Sequence, residues 1–306
     1  MYSPKRLLFI TSNRLGDAVL STGLLDAALT RFTPDDVTIA CGPIPAPLFQ
    51  AVPKLKNIIV LNKAEKGAHW LKFWAEVVGT KWDVVIDLRN SFFSYFLFAK
   101  KTYRFTQGDP GKHKVEQLAA VLGLPEAPLN KIWLNETAKN FAQEKLPDGA
   151  PILALCPTAN WVSKQWPATQ FVRAAKLLPF SRIAVFGAAH EAEQAAPIIQ
   201  ELKKTHEVID LVGKTDPLQA AACLQRTALC LANDSGLMHI AAAMGTTTLG
   251  LFGPSRDEEY RPWGQKAAFV RGAAYQGLDK TPEPQKLMEA IGVDEVVKAA
   301  QQLLKQ

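Results

Sequence analysis

The chain has 306 residues, beyond the usual single-domain size of about 100 to 200, which favours two domains that each bury a core. Its 48% hydrophobic and 21% charged residues are ordinary globular composition. The apolar stretch after Met1-Tyr2-Ser3-Pro4-Lys5-Arg6 is ended at once by Thr11 to Arg14, so neither a signal peptide nor a membrane-spanning helix is expected.

Apolar runs of four to six residues alternate with longer amphipathic stretches. In the first half, strands are predicted near Leu7 to Thr11, Val37 to Ala40, Ile58 to Leu61 and Val84 to Asp87. Helices are predicted at about Asp17 to Arg31, Ala68 to Gly79 and Phe92 to Lys100. That rhythm is one of βαβ units on a parallel sheet. The first strand runs into Ser12-Asn13-Arg14-Leu15-Gly16-Asp17, which sets Asp17 at the carboxyl edge of the sheet beside the first helical turn. A carboxylate there either caps the helix or faces a ligand as a general base. Gly16 lets a substrate approach, and Arg14 can pair with an anionic group on it.

After a helix near Glu136 to Lys145, Leu146-Pro147-Asp148-Gly149-Ala150-Pro151 has linker composition, and the pattern restarts. We therefore set the domains at 1–147 and 148–306. The second set of strands is Ile152 to Leu155, Ile183 to Phe186, Val208 to Ile209, Leu229 to Ala232 and Thr247 to Phe252. A last helix, about Val293 to Leu304, packs on either domain, including back onto the first. Two doubly wound domains in series place a ligand cleft between their strand carboxyl ends.

Lys164 follows the first strand of the second domain after Pro157-Thr158-Ala159-Asn160, and precedes Trp166-Pro167 at a helix start. A lysine there is either solvated or a point charge for a diphosphate, with Thr158 and Asn160 supplying hydrogen bonds. Glu191, with Glu193 in reserve, follows the strand Ile183 to Phe186 and is either a ribose ligand or a surface helix residue. The densest signal is Leu229 to Ala232 followed by Asn233-Asp234-Ser235-Gly236-Leu237-Met238-His239. It reads as a buried strand, a polar turn with good capping residues, and a helix whose first N–H groups favour an anion. His239 shares a helix face with Ser235 and Gly236. Taken singly, Asp234 is also readable as a plain cap and His239 as an interior histidine.

Other fragments lead elsewhere. Gly213-Lys214-Thr215 looks like the end of a phosphate loop, but Val208 stands where that loop needs glycine, and no G-x-G-x-x-G occurs. His190-Glu191 has no second histidine at zinc spacing. Asp257-Glu258-Glu259 reads as a solvated loop. Cys41, Cys156, Cys223 and Cys230 form no C-x-x-C pair and read as reduced core thiols of a cytoplasmic protein. The aromatic run Phe92 to Phe98 reads as a buried helix in preference to a lipid contact. From Lys54 to Lys114 there are 12 Lys or Arg against 5 Asp or Glu, an excess of +7 that suits an anionic partner or a solvated lysine surface. Arg89, Lys100 and Lys101 lie within it.

Together these pieces resemble glycosyltransferase family nine, the bacterial ADP-heptose:lipopolysaccharide heptosyltransferases. The likeness rests on Arg14-Leu15-Gly16-Asp17, His113 to Gly123, Lys164-Gln165-Trp166-Pro167, Asn233 to Ala243 and Leu251-Phe252-Gly253-Pro254. It implies an α/β, GT-B architecture: two Rossmann-like domains with parallel sheets facing across a cleft. The first domain would bind the acceptor and the second the nucleotide sugar. It also implies inverting, metal-independent transfer with no cofactor, from an ADP-sugar, a heptose in the family, to an anionic lipid-linked glycan such as a lipopolysaccharide core. By position, Asp17 resembles the base and Lys164 the diphosphate ligand. Asp234, Ser235, Gly236 and His239 resemble residues around the phosphates and donor sugar, and Glu191 the ribose contact. No nucleic-acid partner is expected. The expected place is the cytoplasm, with peripheral contact at the inner membrane. A nucleotide-sugar epimerase or hydrolase of the same fold and a non-catalytic glycan-binding relative remain alternatives.

Overall fold

The computed structural model describes residues 4–62, 68–273 and 283–305. The chain divides into two compact units, Met1–Asn135 and Glu136–Gln306.

In the first unit, β1 (Arg6–Ile10) leads through α1 (Leu15–Leu20) and α2 (Thr22–Phe32) to β2 (Asp36–Cys41) and β3 (Leu55–Val60). Then α3 (Ala68–Val77), β4 (Trp82–Asp87), β5 (Ala99–Arg104) and α4 (Lys114–Ala119) follow. The sheet is parallel, in the order β3-β2-β1-β4-β5. β1 and β4 are central and almost wholly buried, because parallel strands covered on both faces need continuous apolar runs such as Leu7-Leu8-Phe9-Ile10. One layer of the core joins Leu8, Ile10, Val85 and Ile59 to Phe73 and Val77 of α3.

The second unit holds α5 (Glu136–Lys145), β6 (Ile152–Cys156), α6 (Ala168–Leu177), β7 (Arg182–Val185), α7 (Ala192–Leu202), β8 (Glu207–Asp210), α8 (Pro217–Gln225) and β9 (Leu229–Asn233). These continue into α9 (Gly236–Ala243), β10 (Thr247–Phe252), α10 (Asp257–Tyr260), β11 (Ala267–Arg271), α11 (Pro284–Glu289) and α12 (Val293–Leu303). Its sheet is also parallel, in the order β11-β10-β9-β6-β7-β8. Gly250 of β10 lies under α9, where an added Cβ would sit 2.6 Å from the Met238 sulfur, so the glycine lets helix and sheet close on each other.

Both sheets reverse winding direction next to their first strand, between β1 and β4 and between β6 and β9. Ligands of doubly wound sheets bind outside the strand carboxyl ends at that point. The loops there are 11–14 and 88–91 in the first unit, and 157–167 and 234–235 in the second.

The structure changes three expectations, adds an edge strand and settles the place of the last helix. The helix predicted over Phe92 to Lys100 is a short 3-10 turn, Phe92–Phe96, followed by edge strand β5, so Lys100 and Lys101 lie on a strand. β5 carries charges where a central strand would be apolar, as edge strands commonly do, and that hid it. β11, a second edge strand, was likewise not predicted. The helix predicted over Asp17 to Arg31 is two segments meeting at Ser21. Ser21 Oγ donates to the Ala18 carbonyl at 2.7 Å and Thr22 Oγ1 to that of Val19 at 2.7 Å, so side chains take acceptors the helical ladder would use. The division falls before α5, not at 147/148, because α5 packs on α8 of the second unit. The last helix, α12, puts Val293, Val296, Ala300 and Leu303 into the second unit's core beside α6.

Candidate active site

In the second unit the site grows from Asn233, the last residue of β9 and fully buried. Its Oδ1 accepts from the Trp166 backbone N–H at 3.0 Å and its Nδ2 donates to the Pro157 carbonyl at 2.6 Å. One amide thus ties both ends of the loop after β6 to the end of β9. Trp166 is further fixed by its indole N–H donating to the Ile291 carbonyl at 3.0 Å and by edge-on contact with Phe171. Pro167 sits one position before α6, as its N-cap, where its missing N–H costs nothing.

Held by these anchors, Lys164 ends a 3-10 turn, Val162–Lys164, and its Nζ donates to Asp234 Oδ2 at 2.5 Å. Asp234 is 8% exposed and Lys164 27%, so the pair stands at the edge of solvent with its carboxylate inside. The same carboxylate is 4.0 Å from His239 Nε2, one turn into α9, and His239 is buried. Ser235 is the N-cap residue of α9 but makes no side-chain capping bond; its Oγ is buried without a hydrogen-bond partner. Asp234 therefore serves Lys164 instead of the helix, and the first amides of α9, from Gly236 on, lack a side-chain cap.

Thr158 and Glu191 also come together. Glu191 is buried, not a surface helix residue; its Oε2 accepts from Thr158 Oγ1 at 2.8 Å and from the Ala188 N–H at 2.7 Å. Gly187 passes beside this pair, where an added Cβ would lie 3.1 Å from Thr158 Oγ1. Asn160 is exposed in the loop and Glu193 is exposed on α7, outside the cluster. The Gly213-Lys214 turn is structural: Gly213 has φ +69 and packs on Ala189, while Lys214 bonds Asp210 at 2.8 Å.

In the first unit Arg14 is the exposed residue before α1, and Asp17 lies half-buried in the first turn. Asp17 Oδ2 accepts from Ser12 Oγ at 3.4 Å, and that hydroxyl in turn accepts from the Arg14 N–H at 3.0 Å. Gly16 lies between them with partial exposure. Sequence reasoning named Arg89 only as part of the basic stretch and missed its partners in holding this loop. Arg89 Nη1 donates to Asn13 Oδ1 at 2.7 Å and stacks over Trp70, and burial lowers the Arg89 pKa, against the nearby Asp87 charge. Asp87, fully buried at the end of β4, accepts from the N–H groups of Arg89 and Ser91 and from Ser91 Oγ. The available signal was common to both units: an Asp or Asn closing a central strand directly after an apolar run, Val84-Val85-Ile86-Asp87 and Leu229-Cys230-Leu231-Ala232-Asn233. Within the basic stretch, Lys56, Lys100 and Lys112 pair with Asp36, Asp83 and Asp109.

A model of glycosyltransferase family 9 (heptosyltransferase) matches residues 109–289, more than half of the chain. The chain is 31% identical over 280 residues, 84% of each protein, to a lipooligosaccharide heptosyltransferase 2 from Campylobacter jejuni serotype O:6. The chain belongs to glycosyltransferase family 9. A family 9 glycosyltransferase structure from Veillonella parvula covers 100% of this chain and 99% of its own, with TM-score 0.86 and 23% identity. That of an E. coli ADP-heptose LPS heptosyltransferase II covers 98% and 99%, with TM-score 0.80 and 21% identity. These likenesses show the GT-B fold, two Rossmann-like units in series, for this family 9 enzyme. Among the described residues no helix is long and apolar enough to cross a membrane.

Proposed function

We propose that this glycosyltransferase moves heptose from ADP-heptose to an anionic, lipid-linked glycan of the lipopolysaccharide core, with inversion at the sugar carbon and without a metal ion. The relatives named above support the donor and acceptor classes. The observation that carries the site assignment is Lys164, held at 2.5 Å from Asp234 beside the uncapped start of α9 and the partnerless Ser235 hydroxyl.

In this reading the second unit takes the donor. Lys164 keeps two N–H groups beyond the one given to Asp234, and they point the cation at the diphosphate. Asp234 would repel phosphate by itself; neutralised by Lys164 and close to His239, it instead accepts from sugar hydroxyls. Ser235 Oγ and the Gly236 N–H donate to phosphate oxygens. Thr158 and Asn160 line the same loop, and Glu191 accepts from the ribose while holding Thr158. As the bond from the sugar carbon to the diphosphate oxygen breaks, its electron pair leaves on ADP. Lys164 and the α9 amides then stabilise charge that is larger in the transition state than before it.

The first unit takes the acceptor. Asp17 removes the proton of the attacking hydroxyl, whose oxygen forms the new bond from the opposite face, and Arg14, two residues before Gly16, pairs with acceptor phosphate. The enzyme works in the cytoplasm, consistent with four free, buried cysteines.

The test is product analysis with ADP-heptose and a heptose-deficient lipopolysaccharide acceptor, with and without EDTA. Expected are acceptor-dependent ADP release, a glycan of inverted anomeric configuration and full activity in EDTA. Equal ADP release without acceptor would replace transfer by hydrolysis, and reversible loss in EDTA would end the metal-free reading.

A further inference from the structure

The turn between β4 and β5 is inside out. Its small polar residues are buried and bonded, with Ser91 and Ser94 at 7% and 1% exposure, while Phe92, Tyr95, Phe96 and Phe98 are 69%, 55%, 54% and 69% exposed. A turn built only to connect two strands would bury its rings and leave its serines in water.

The inversion is held in place. Asp87 accepts from the N–H and Oγ of Ser91, and Ser94 Oγ donates to the Ser91 carbonyl at 3.0 Å. Arg104 of β5 donates to Ser94 Oγ and to the Ser94 carbonyl and lies 3.8 Å over the Tyr95 ring, whose hydroxyl donates to Asn90. Phe92 and Phe96 meet edge to face at 5.0 Å. Four bulky rings exposed to this degree present on the order of 400–500 Å² of apolar surface, the size of the largest patch on a typical monomer, which is often functional. Leu71 of α3, which packs beside this turn, is 58% exposed.

The sequence that flanks the rings is basic. From Leu88 to Gly108 the sequence has Arg89, Lys100, Lys101 and Arg104 and no Asp or Glu. Lys101 is exposed; Lys100 is 81% exposed although its tip reaches Asp83. Exposed rings flanked by lysines on a short edge strand match the interfacial layer of a bilayer, where aromatic rings sit at headgroup depth and lysines reach anionic phosphate. A second copy of the same patch fits less well, since a two-fold contact would bring the lysines of both copies together.

We propose that Phe92, Tyr95, Phe96 and Phe98, with Lys100 and Lys101, form a docking surface for an anionic phospholipid bilayer. Nothing in this rests on the donor, the acceptor or the chemistry assigned above. Docking needs both parts: rings for insertion and lysines for attraction to anionic lipid, so the surface binds peripherally and reversibly.

The test is flotation of the purified full chain with vesicles of phosphatidylcholine alone and of phosphatidylcholine with phosphatidylglycerol. Expected is binding to the anionic vesicles, weakened about tenfold or more by the triple variant Phe92→Ser, Phe96→Ser, Phe98→Ser and by Lys100→Glu with Lys101→Glu. Hydrogen exchange of the unaltered chain needs no variant: added anionic vesicles should slow exchange in residues 88–104. No binding to anionic vesicles overturns the proposal. So does binding that the serine variant leaves unchanged, which would mean general electrostatic attraction, or protection centred on another segment. Self-association that the serine variant abolishes, without vesicle binding, would make the patch a contact between copies.

Discussion

Asn233 and Asp17 each stand near the carboxyl end of a central strand, yet their loss should be felt in different measurements. Asn233→Ala strands the Trp166 N–H and the Pro157 carbonyl, each costing about 1 to 3 kcal/mol when left buried without a partner. We expect about 2 to 4 kcal/mol lower stability by denaturant unfolding and weaker ADP binding, since the lost ties hold the Lys164 loop. A change under 0.5 kcal/mol would show that the loop has other anchors. Asp17→Asn should behave in the opposite way: near-native stability and ADP affinity, with turnover at saturating acceptor reduced by about 10² or more, the range of a positioned base. Near-native turnover would make Asp17 a first-turn residue and nothing else. Sequence reasoning named Asp17, Lys164, Asp234 and His239 because they stand where a strand runs into a helix start, in segments that resemble those of the family. It passed over the roles of Asn233 and Asn13 because their bonding partners, 67 to 76 residues away, leave no local trace, and that of Asp87 because a carboxylate bonded to its own turn is not set apart by type from any other strand-end Asp.

Among the elements, the strands that were legible are the central ones. Leu7 to Ile10, Ile152 to Cys156 and Leu229 to Ala232 are apolar throughout because both faces of a parallel sheet are covered. β5, Ala-Lys-Lys-Thr-Tyr-Arg, is an edge strand, and its lysines and the aromatic run before it imitate an amphipathic helix. The break at Ser21 was hidden for a different reason: the 3.6-residue apolar period continues through it while two hydroxyls rearrange the bonding. A further element-level dependence is the seat of the loop before α1. Gly42, just after β2, donates its N–H to the Ser12 carbonyl, and an added Cβ would stand 2.6 Å from Asn13 Cα. Backbone at that distance has to move, so Gly42→Ala should cost about 1 to 3 kcal/mol and shift the segment that carries Arg14, Gly16 and Asp17. Steady-state kinetics should then show lower turnover, while calorimetric ADP affinity stays within about twofold. Unchanged kinetics would mean that the loop absorbs the methyl group without moving Asp17.

At the scale of the whole molecule, two sheets with separate cores allow the donor's effect to be located by unit. The doubly wound pattern made two domains legible from length and rhythm, but the junction was misplaced by a dozen residues. Helix α5 precedes the Pro-Gly segment and yet packs on α8, and composition marks where a chain bends, not which core a helix joins. Ligand binding stabilises only what must unfold to release it, by about 2.7 kcal/mol at a hundredfold excess over Kd. If ADP is held by Lys164, Ser235 and Gly236, all in the second unit, native-state hydrogen exchange should slow in the core amides of β6 and β9 by about that amount, roughly a hundredfold in rate. Amides of β1 and β4 should keep their rates. Lys164→Ala should reduce the slowing at a fixed ADP concentration, because the cation that meets the diphosphate is gone. Protection that appears first in β1 and in residues 11–17 would move the nucleotide to the other switch point and exchange the roles assigned to the two units.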